Sequence, residues 1–228
     1  MLMSENHHRA QGLQIVEPDS ALLQEEDGRG VSTLIERLSR VRSALDRERA
    51  EAPTLAAELL DLPPETREER LRRDPRFQTW GLSELLLARS VEAAADPVEA
   101  GRLAALALAG ADTLDRTRHA APVVEDLKAR AWAAAGEACL RQGDHGGAEE
   151  ALRAAASCLS RGTGDLLVEA RLLEFEAYVR RDQGRPGEAA ALLKMAAARY
   201  RDTGDVQLLE RTLAERDALL WQQPARST

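Results

Sequence analysis

Two features of the sequence predict an all-α fold. Of the 228 residues, 44% are hydrophobic but only 3% are aromatic, and Ala and Leu, which favour helices more than strands, supply most of the apolar share. The second feature is a recurring turn: residues 161–165 read Arg-Gly-Thr-Gly-Asp, and residues 201–205, 40 positions later, read Arg-Asp-Thr-Gly-Asp. We therefore expect helices separated by tight turns at a regular spacing.

The recurring turn has a physical explanation. Gly164 and Gly204 suit the left-handed residue that ends a helix, because glycine adopts a positive φ without steric cost. Asp165 and Asp205 suit the N-cap of the next helix. An amphipathic stretch follows each turn, so the repeating unit is a helix, a turn and another helix. A period of this length is typical of solenoids.

A second self-similarity joins residues 143–159 to residues 184–200 at an offset of 41. It aligns Gly143 with Gly184, Ala148 with Ala189, Leu152 with Leu193, and Ala155 with Ala196. The segment 129–162 resembles the tetratricopeptide repeat. Trp132 matches the first large position of that pattern and Gly136 its close-packing glycine, and the second-helix signature is matched by Ala148, Leu152 and Ala155.

The resemblance extends over roughly residues 75–222. Asp96-Pro97 and Asp74-Pro75 each read as an N-cap followed by a proline in the first helical position. Residues 205–222 read as a lone helix that caps the array. The resemblance implies a right-handed superhelical solenoid of antiparallel helix pairs over residues 74–223. It would contain about three hairpins and a C-terminal capping helix.

The segments outside the array are predicted separately. Residues 1–30 are polar and lack periodicity, so we expect a flexible N-terminal tail, and residues 224–228 form a C-terminal tail. Residues 31–73 are predicted to form a helical segment followed by a charged connector, which starts near Glu51 and contains Pro63-Pro64.

An amphipathic helix is predicted over residues 31–48. Its apolar seam recurs at steps of three and four, through Val31, Leu34, Leu38, Val41 and Leu45. Two interpretations stay open. The helix packs on the start of the array, or it docks a partner or a second copy of the chain.

The sequence lacks the patterns typical of enzymes. It contains no glycine-rich phosphate loop, no His-Glu-x-x-His and no Gly-x-Ser-x-Gly. Cys139 and Cys158 lack metal-site spacing and are predicted to be buried free thiols. The net charge of −8 argues against binding to nucleic acid or anionic lipid. We therefore expect no enzyme activity, cofactor or metal. The start of the chain has no signal architecture and no apolar run is long enough to span a membrane, so we expect a cytoplasmic protein.

In the tetratricopeptide family the first helix of each pair lines a concave groove. Transferring those positions places ten residues in the groove: Arg130, Glu137, Arg141, Arg171, Glu174, Phe175, Tyr178, Arg181, Arg211 and Glu215. Within this set Arg130, Arg171 and Arg211 occupy equivalent positions at offsets of 41 and 40. A regular stack would align these three guanidinium groups, which we call the arginine row.

Two interpretations of the arginine row follow. It binds an acidic peptide segment, with Phe175 and Tyr178 as apolar anchors. Alternatively, each arginine pairs with a nearby glutamate such as Glu169 or Glu210. The leading functional expectation is a non-catalytic scaffold or adaptor that binds a protein partner in a bacterial regulatory or multiprotein assembly. The alternatives are a nucleic-acid-associated regulator that uses the arginine row, and a self-assembling structural subunit.

Overall fold

A computed structural model describes the backbone of residues 20–221 and the side chains of residues 31–221. Every regular element in this part of the chain is helical, which confirms the all-α prediction. The α-helices are α1 (Ser20–Leu60), α2 (Pro64–Arg73), α3 (Trp80–Glu92), α4 (Pro97–Thr113), α5 (Ala121–Arg141), α6 (His145–Leu159), α7 (Leu166–Asp182), α8 (Pro186–Thr203) and α9 (Val206–Trp221). Short 3-10 helices at Pro75–Phe77 and Ala93–Ala95 flank α3.

The chain divides into two compact units, Met1–Ala44 and Leu45–Thr228, and α1 contributes residues to both. The helix bounds in this region differ from the predicted segments. The N-terminal tail is predicted to extend to residue 30, whereas helix α1 begins at Ser20. The expected connector was to start near Glu51, but α1 continues to Leu60 with Pro53 inside it. Residues 1–19 of the predicted N-terminal tail and all of the predicted C-terminal tail, 224–228, lie outside the described residues.

In the first unit, the apolar seam of α1 is exposed to solvent. The exposed fractions of Val31, Leu34, Leu38 and Val41 are 56%, 55%, 59% and 48%. Leu45, the last residue of the seam, belongs to the second unit and is partly buried against its hydrophobic core. The predicted helix is present, and its seam changes character between Val41 and Leu45.

The core of the second unit starts well before residue 74, the predicted domain boundary. Ala56 and Leu59 from α1 and Leu71 from α2 are fully buried in one cluster with residues of α3, α4 and α5. The segment expected to be a charged connector therefore supplies part of the core. Its proline and charge content hid a continuing helical spacing of buried positions on α1.

From α3 onward, consecutive helices pack as neighbours, and α2 packs against α4. Helix α3 packs against α4, α5 against α6, and α7 against α8. Contacts of α4 with α5, α6 with α7, and α8 with α9 link these pairs, and α5 also contacts both α3 and α7. Among the described helices, none combines the length with the apolar character that a bilayer-spanning segment requires.

The predicted turns are confirmed at the later positions. Gly164 and Gly204 have φ values of +80° and +77°. The side chain of Asp165 accepts a hydrogen bond from the Leu167 amide, and that of Asp205 accepts one from the Leu208 amide. Asp96 likewise caps α4. Asp74 differs, because it caps only the Pro75–Phe77 3-10 helix and α3 begins later, after Thr79.

Gly136 brings α5 and α7 close together. A Cβ at this position would lie 2.2 Å from Cζ of Phe175 and 2.9 Å from Cβ of Ala151. The aligned alanines Ala148 and Ala189 are also fully buried. Gly136 lets α5 and α7, which both line the groove, approach closely, whereas the two alanines lie on α6 and α8.

Candidate functional site

A groove of about 470 Å³ lies on one side of the second unit, and its lining residues come from every second helix. The lining is supplied by α3, α5, α7 and α9, together with Ala94 of the short 3-10 helix after α3. Its members are Leu87, Ser90, Val91, Ala94, Arg130, Ala133, Ala134, Glu137, Leu140, Arg141, Arg171, Tyr178, Arg181, Arg211 and Glu215.

The structure brings eight of the ten transferred positions to this lining. They are Arg130, Glu137, Arg141, Arg171, Tyr178, Arg181, Arg211 and Glu215. Phe175, which the repeat pattern places in the groove as an apolar anchor, does not line it. Its side chain is 0% exposed and fills the space above Gly136, so it packs in the core and offers no surface to a ligand. Glu174 is also buried, at 1% exposure, and lies beneath the groove arginines.

Glu174 joins two members of the arginine row. Nη1 of Arg171 lies 3.1 Å from its Oε2, and Nη2 of Arg211 lies 3.0 Å from its Oε1. The hydroxyls of Tyr200 and Thr212 donate to the same carboxylate at 2.8 Å and 2.7 Å. One buried acid therefore ties α7 to both α8 and α9.

The glutamates expected to pair with the row do not do so. Glu169 binds Arg199 instead, with Nη2 of the arginine 2.9 Å from its Oε1. The partner of Arg171 and Arg211 is Glu174, a residue that the repeat pattern places in the groove. Spacing alone could not show that a single carboxylate serves arginines from two helices.

The environment of Glu174 stabilises its charged form. Burial by itself would raise the pKa of Glu174, but the two hydroxyl donors and the charges of the two arginines outweigh burial and hold the pKa below its ordinary value. The carboxylate is therefore ionised at neutral pH and balances one of the two guanidinium charges beside it.

A second set of pairs lines the groove further along the same helices. On α5, Nη2 of Arg141 lies 3.0 Å from Oε2 of Glu137. Burial raises the pKa of Glu137, although the charges of Arg141 and Arg171 oppose that change. This carboxylate is less firmly held in its charged form than Glu174.

On α7, the guanidinium of Arg181 lies over the ring of Tyr178, 5.2 Å from its centroid, in a cation–π contact. The Tyr178 hydroxyl donates to Oε2 of Glu215 at 3.2 Å, and Nη1 of Arg181 lies 3.7 Å from the other carboxylate oxygen. Burial, followed by the charge of Glu215, raises the pKa of the Tyr178 phenol. Tyr178 is therefore a neutral, half-buried ring with a polar tip.

Arg130 is the member of the row that differs. Its side chain is exposed, and it makes no ion pair or hydrogen bond to any side chain within residues 31–221. The other groove arginines each have a glutamate partner. The positive charge of Arg130 is thus left uncompensated at the α5 edge of the row.

The wall contributed by α3 was not predicted. Leu87 and Val91 are one turn apart on α3, and Ala94 follows in the next turn. Val91 is 52% exposed, whereas Leu87 is almost fully buried. The i, i+4 spacing of Leu87 and Val91 was a signal available in the sequence. At the 41-residue offset from Arg130, α3 carries Arg89, which does not line the groove.

Other reactive groups do not assemble into a second site in the part of the chain described. Burial raises the pKa of both Cys139 and Cys158, and both are free thiols. His119 stacks on Trp80 with ring centroids 5.8 Å apart, and burial lowers its pKa. No group of three metal-ligating side chains occurs among the described residues.

The charge of the groove is opposite to the charge of the chain. Five arginines and two glutamates line it, and Glu174 lies directly beneath, which leaves an excess of two positive charges in a protein of net charge −8. Guanidinium groups bind carboxylates bidentately, and aliphatic walls bury apolar side chains. Comparisons with family models, with curated proteins and with solved structures find no match for this chain.

Proposed function

We propose that this chain is a non-catalytic scaffold or adaptor of tetratricopeptide-like architecture that binds an acidic segment of a protein partner in the groove. The observation that carries the proposal is the groove itself, which has an excess of arginine over glutamate in an acidic protein. The apolar wall beside those arginines supplies contact area for side chains of the bound segment.

The packing order of the helices supports the solenoid part of the proposal. Alternate helices line one surface, and three consecutive pairs followed by α9 account for the second unit beyond α2. The proposal includes the right-handed superhelical path, about three hairpins and the capping role of α9. It also includes action in the bacterial cytoplasm, within a regulatory or multiprotein assembly.

The test is selection of peptides from a phage-displayed random library on the purified full chain. Binding of the selected peptides is then measured by fluorescence polarisation on an Arg130→Ala, Arg171→Ala, Arg211→Ala variant. We expect the selected peptides to be acidic. They should bind the triple variant at least about tenfold more weakly than they bind the wild type. A matched control replaces three exposed arginines outside the groove, Arg72, Arg73 and Arg153, and should bind as the wild type does.

A second variant distinguishes loss of binding from loss of folding. It is needed because Arg171 and Arg211 also bind Glu174, so their removal can destabilise the fold. Val91→Glu places a charge on the exposed apolar wall without touching that carboxylate. Circular dichroism verifies that each variant is helical. Failure to select any peptide, or unchanged binding by Val91→Glu, would contradict the proposal. Salt-sensitive oligonucleotide binding that the triple variant abolishes would favour the nucleic-acid alternative.

A further inference from the structure

The two sides of the groove are chemically different. The α3 side is largely apolar, with Leu87, Val91 and Ala94, and it continues onto Ala133 and Ala134 of α5. Ser90 also lines this side, and its hydroxyl donates to the Ala100 carbonyl within the fold. Arg130 lies on α5 three and four positions before Ala133 and Ala134, so it shares their helix face. An uncompensated positive charge therefore borders an apolar surface.

The α7–α9 side is already occupied by internal ion pairs. Arg171 and Arg211 both bind Glu174, and Arg181 binds Glu215. An incoming carboxylate at that side would compete with acids that are fixed in the fold and would approach their negative charges. At Arg130 no acid of the described chain has to be displaced.

The guanidinium of Arg130 is suited to a carboxylate in particular. It presents five N–H donors in a planar fork that matches the two oxygens of a carboxylate. A nucleic-acid backbone would instead have to follow the groove past Glu137 and Glu215, which repel phosphates. The one aromatic ring of the described lining, Tyr178, already has the guanidinium of Arg181 over its face, where a base would stack.

We infer that Arg130 binds an Asp or Glu carboxylate of the partner peptide and that the α3–α5 wall takes an apolar side chain next to that acid. This inference rests on the proposed function and assigns its anion subsite. Arg171 and Arg211 then act as parts of the structure that shape the groove. The recognised element is an acidic residue adjacent to a large aliphatic or aromatic residue, in a segment from another protein.

A charge exchange tests the subsite. The probe is the tightest peptide selected on the wild-type chain, together with a version whose acidic residue is replaced by Lys. Wild type should prefer the acidic peptide by at least about tenfold, and Arg130→Glu should reverse that preference. Arg153→Glu, an exposed arginine outside the groove on α6, should keep the wild-type preference.

The apolar half is tested with the same peptide pair. Replacing the neighbouring apolar residue of the peptide by Ala should weaken binding to wild type by about tenfold. The same replacement in the peptide should weaken binding to a Val91→Ser variant by less, because that variant has already lost the contact between the apolar peptide residue and Val91.

The outcomes separate the inference from the proposal on which it rests. If Arg130→Glu binds the acidic peptide as wild type does, while Val91→Glu abolishes binding, the subsite is wrong and the groove proposal stands. If no peptide is selected, or if Val91→Glu leaves binding intact, both are contradicted. Reversal of preference by Arg130→Glu and not by Arg153→Glu supports both.

Discussion

The two ends of the groove use equivalent arginines in different ways. At the α7–α9 end, Arg171 and Arg211 share the buried Glu174 and so connect helices. At the α3–α5 end, Arg130 occupies the equivalent repeat position, has no described acidic partner and borders an apolar wall. A repeat therefore places a side chain on a given surface, but the neighbours that surround it decide whether it stabilises the fold or is available to a ligand.

The largest expected effect comes from removing the acid at the α7–α9 end. Glu174→Ala leaves two arginines and two hydroxyls without their shared acceptor, and we expect a loss of about 3 to 5 kcal/mol in the free energy of unfolding. Urea denaturation followed by circular dichroism measures it. Glu188→Ala, which breaks an exposed pair with Arg185, should cost no more than about 1 kcal/mol. Equal losses would show that Glu174 has no special structural role.

The next largest expected change in the free energy of unfolding comes from the contact between α5 and α7, which lies between the two ends of the groove. Gly136→Ala would place a Cβ 2.2 Å from Phe175 and force the helices apart, at a cost of about 1 to 3 kcal/mol. Gly187→Ala is the matched control, because its Cβ would meet nothing within 4 Å. That control should stabilise the chain by up to about 1 kcal/mol through helix propensity. The same urea denaturation compares them, and a neutral Gly136→Ala would contradict the close contact.

The pH dependence of stability should have opposite signs at two groove acids. The pKa of Glu174 is lowered in the folded chain, so its stabilisation is present above the ordinary value of 4.5 and is lost as pH falls through the lowered pKa. The pKa of Glu137 is raised, so its charged form is disfavoured at neutral pH, and this penalty is relieved as pH falls toward 4.5.

Substitution by glutamine isolates each contribution. Relative to wild type, the loss of stability in Glu174→Gln should shrink as pH is lowered from 7 to 3. Glu137→Gln should compare most favourably with wild type at pH 7 and lose that advantage toward pH 4.5. Unfolding titrations across this range give both difference curves. Slopes of the same sign would show that one of the two environments is assigned wrongly.

The sequence predicts those parts of the fold and the groove that depend on local residue preferences. The composition predicts the helices, and the Gly-Asp pairs predict turns at Gly164 and Gly204 because few other residues suit a positive φ followed by a cap. The 40- and 41-residue offsets place the arginines on one face. The offsets do not distinguish core from groove on adjacent positions of α7, so Phe175 was assigned to the wrong side.

The sequence alone could not predict which side chains form ion pairs between distant positions of the chain. Arg211 and Glu174 are 37 residues apart and meet because α9 packs beside α7. The N-terminal boundary was missed for a different reason. Pro63-Pro64 and the charge run suggested a connector from Glu51, but α1 continues through Pro53 to Leu60, with Ala52 and Ala56 buried. Packing there outweighs the local disadvantage of proline.

The contrast between the two ends is tested most directly by the free energies of unfolding of Arg130→Ala and Arg211→Ala in parallel urea titrations. Arg130 is exposed and has no described partner, so its removal should change stability by less than about 0.5 kcal/mol. Removal of Arg211 takes a charged donor from a buried carboxylate and should cost about 1 to 2 kcal/mol. Equal changes in the two variants, or a larger loss for Arg130→Ala, would contradict the division of the arginine row into structural and available members.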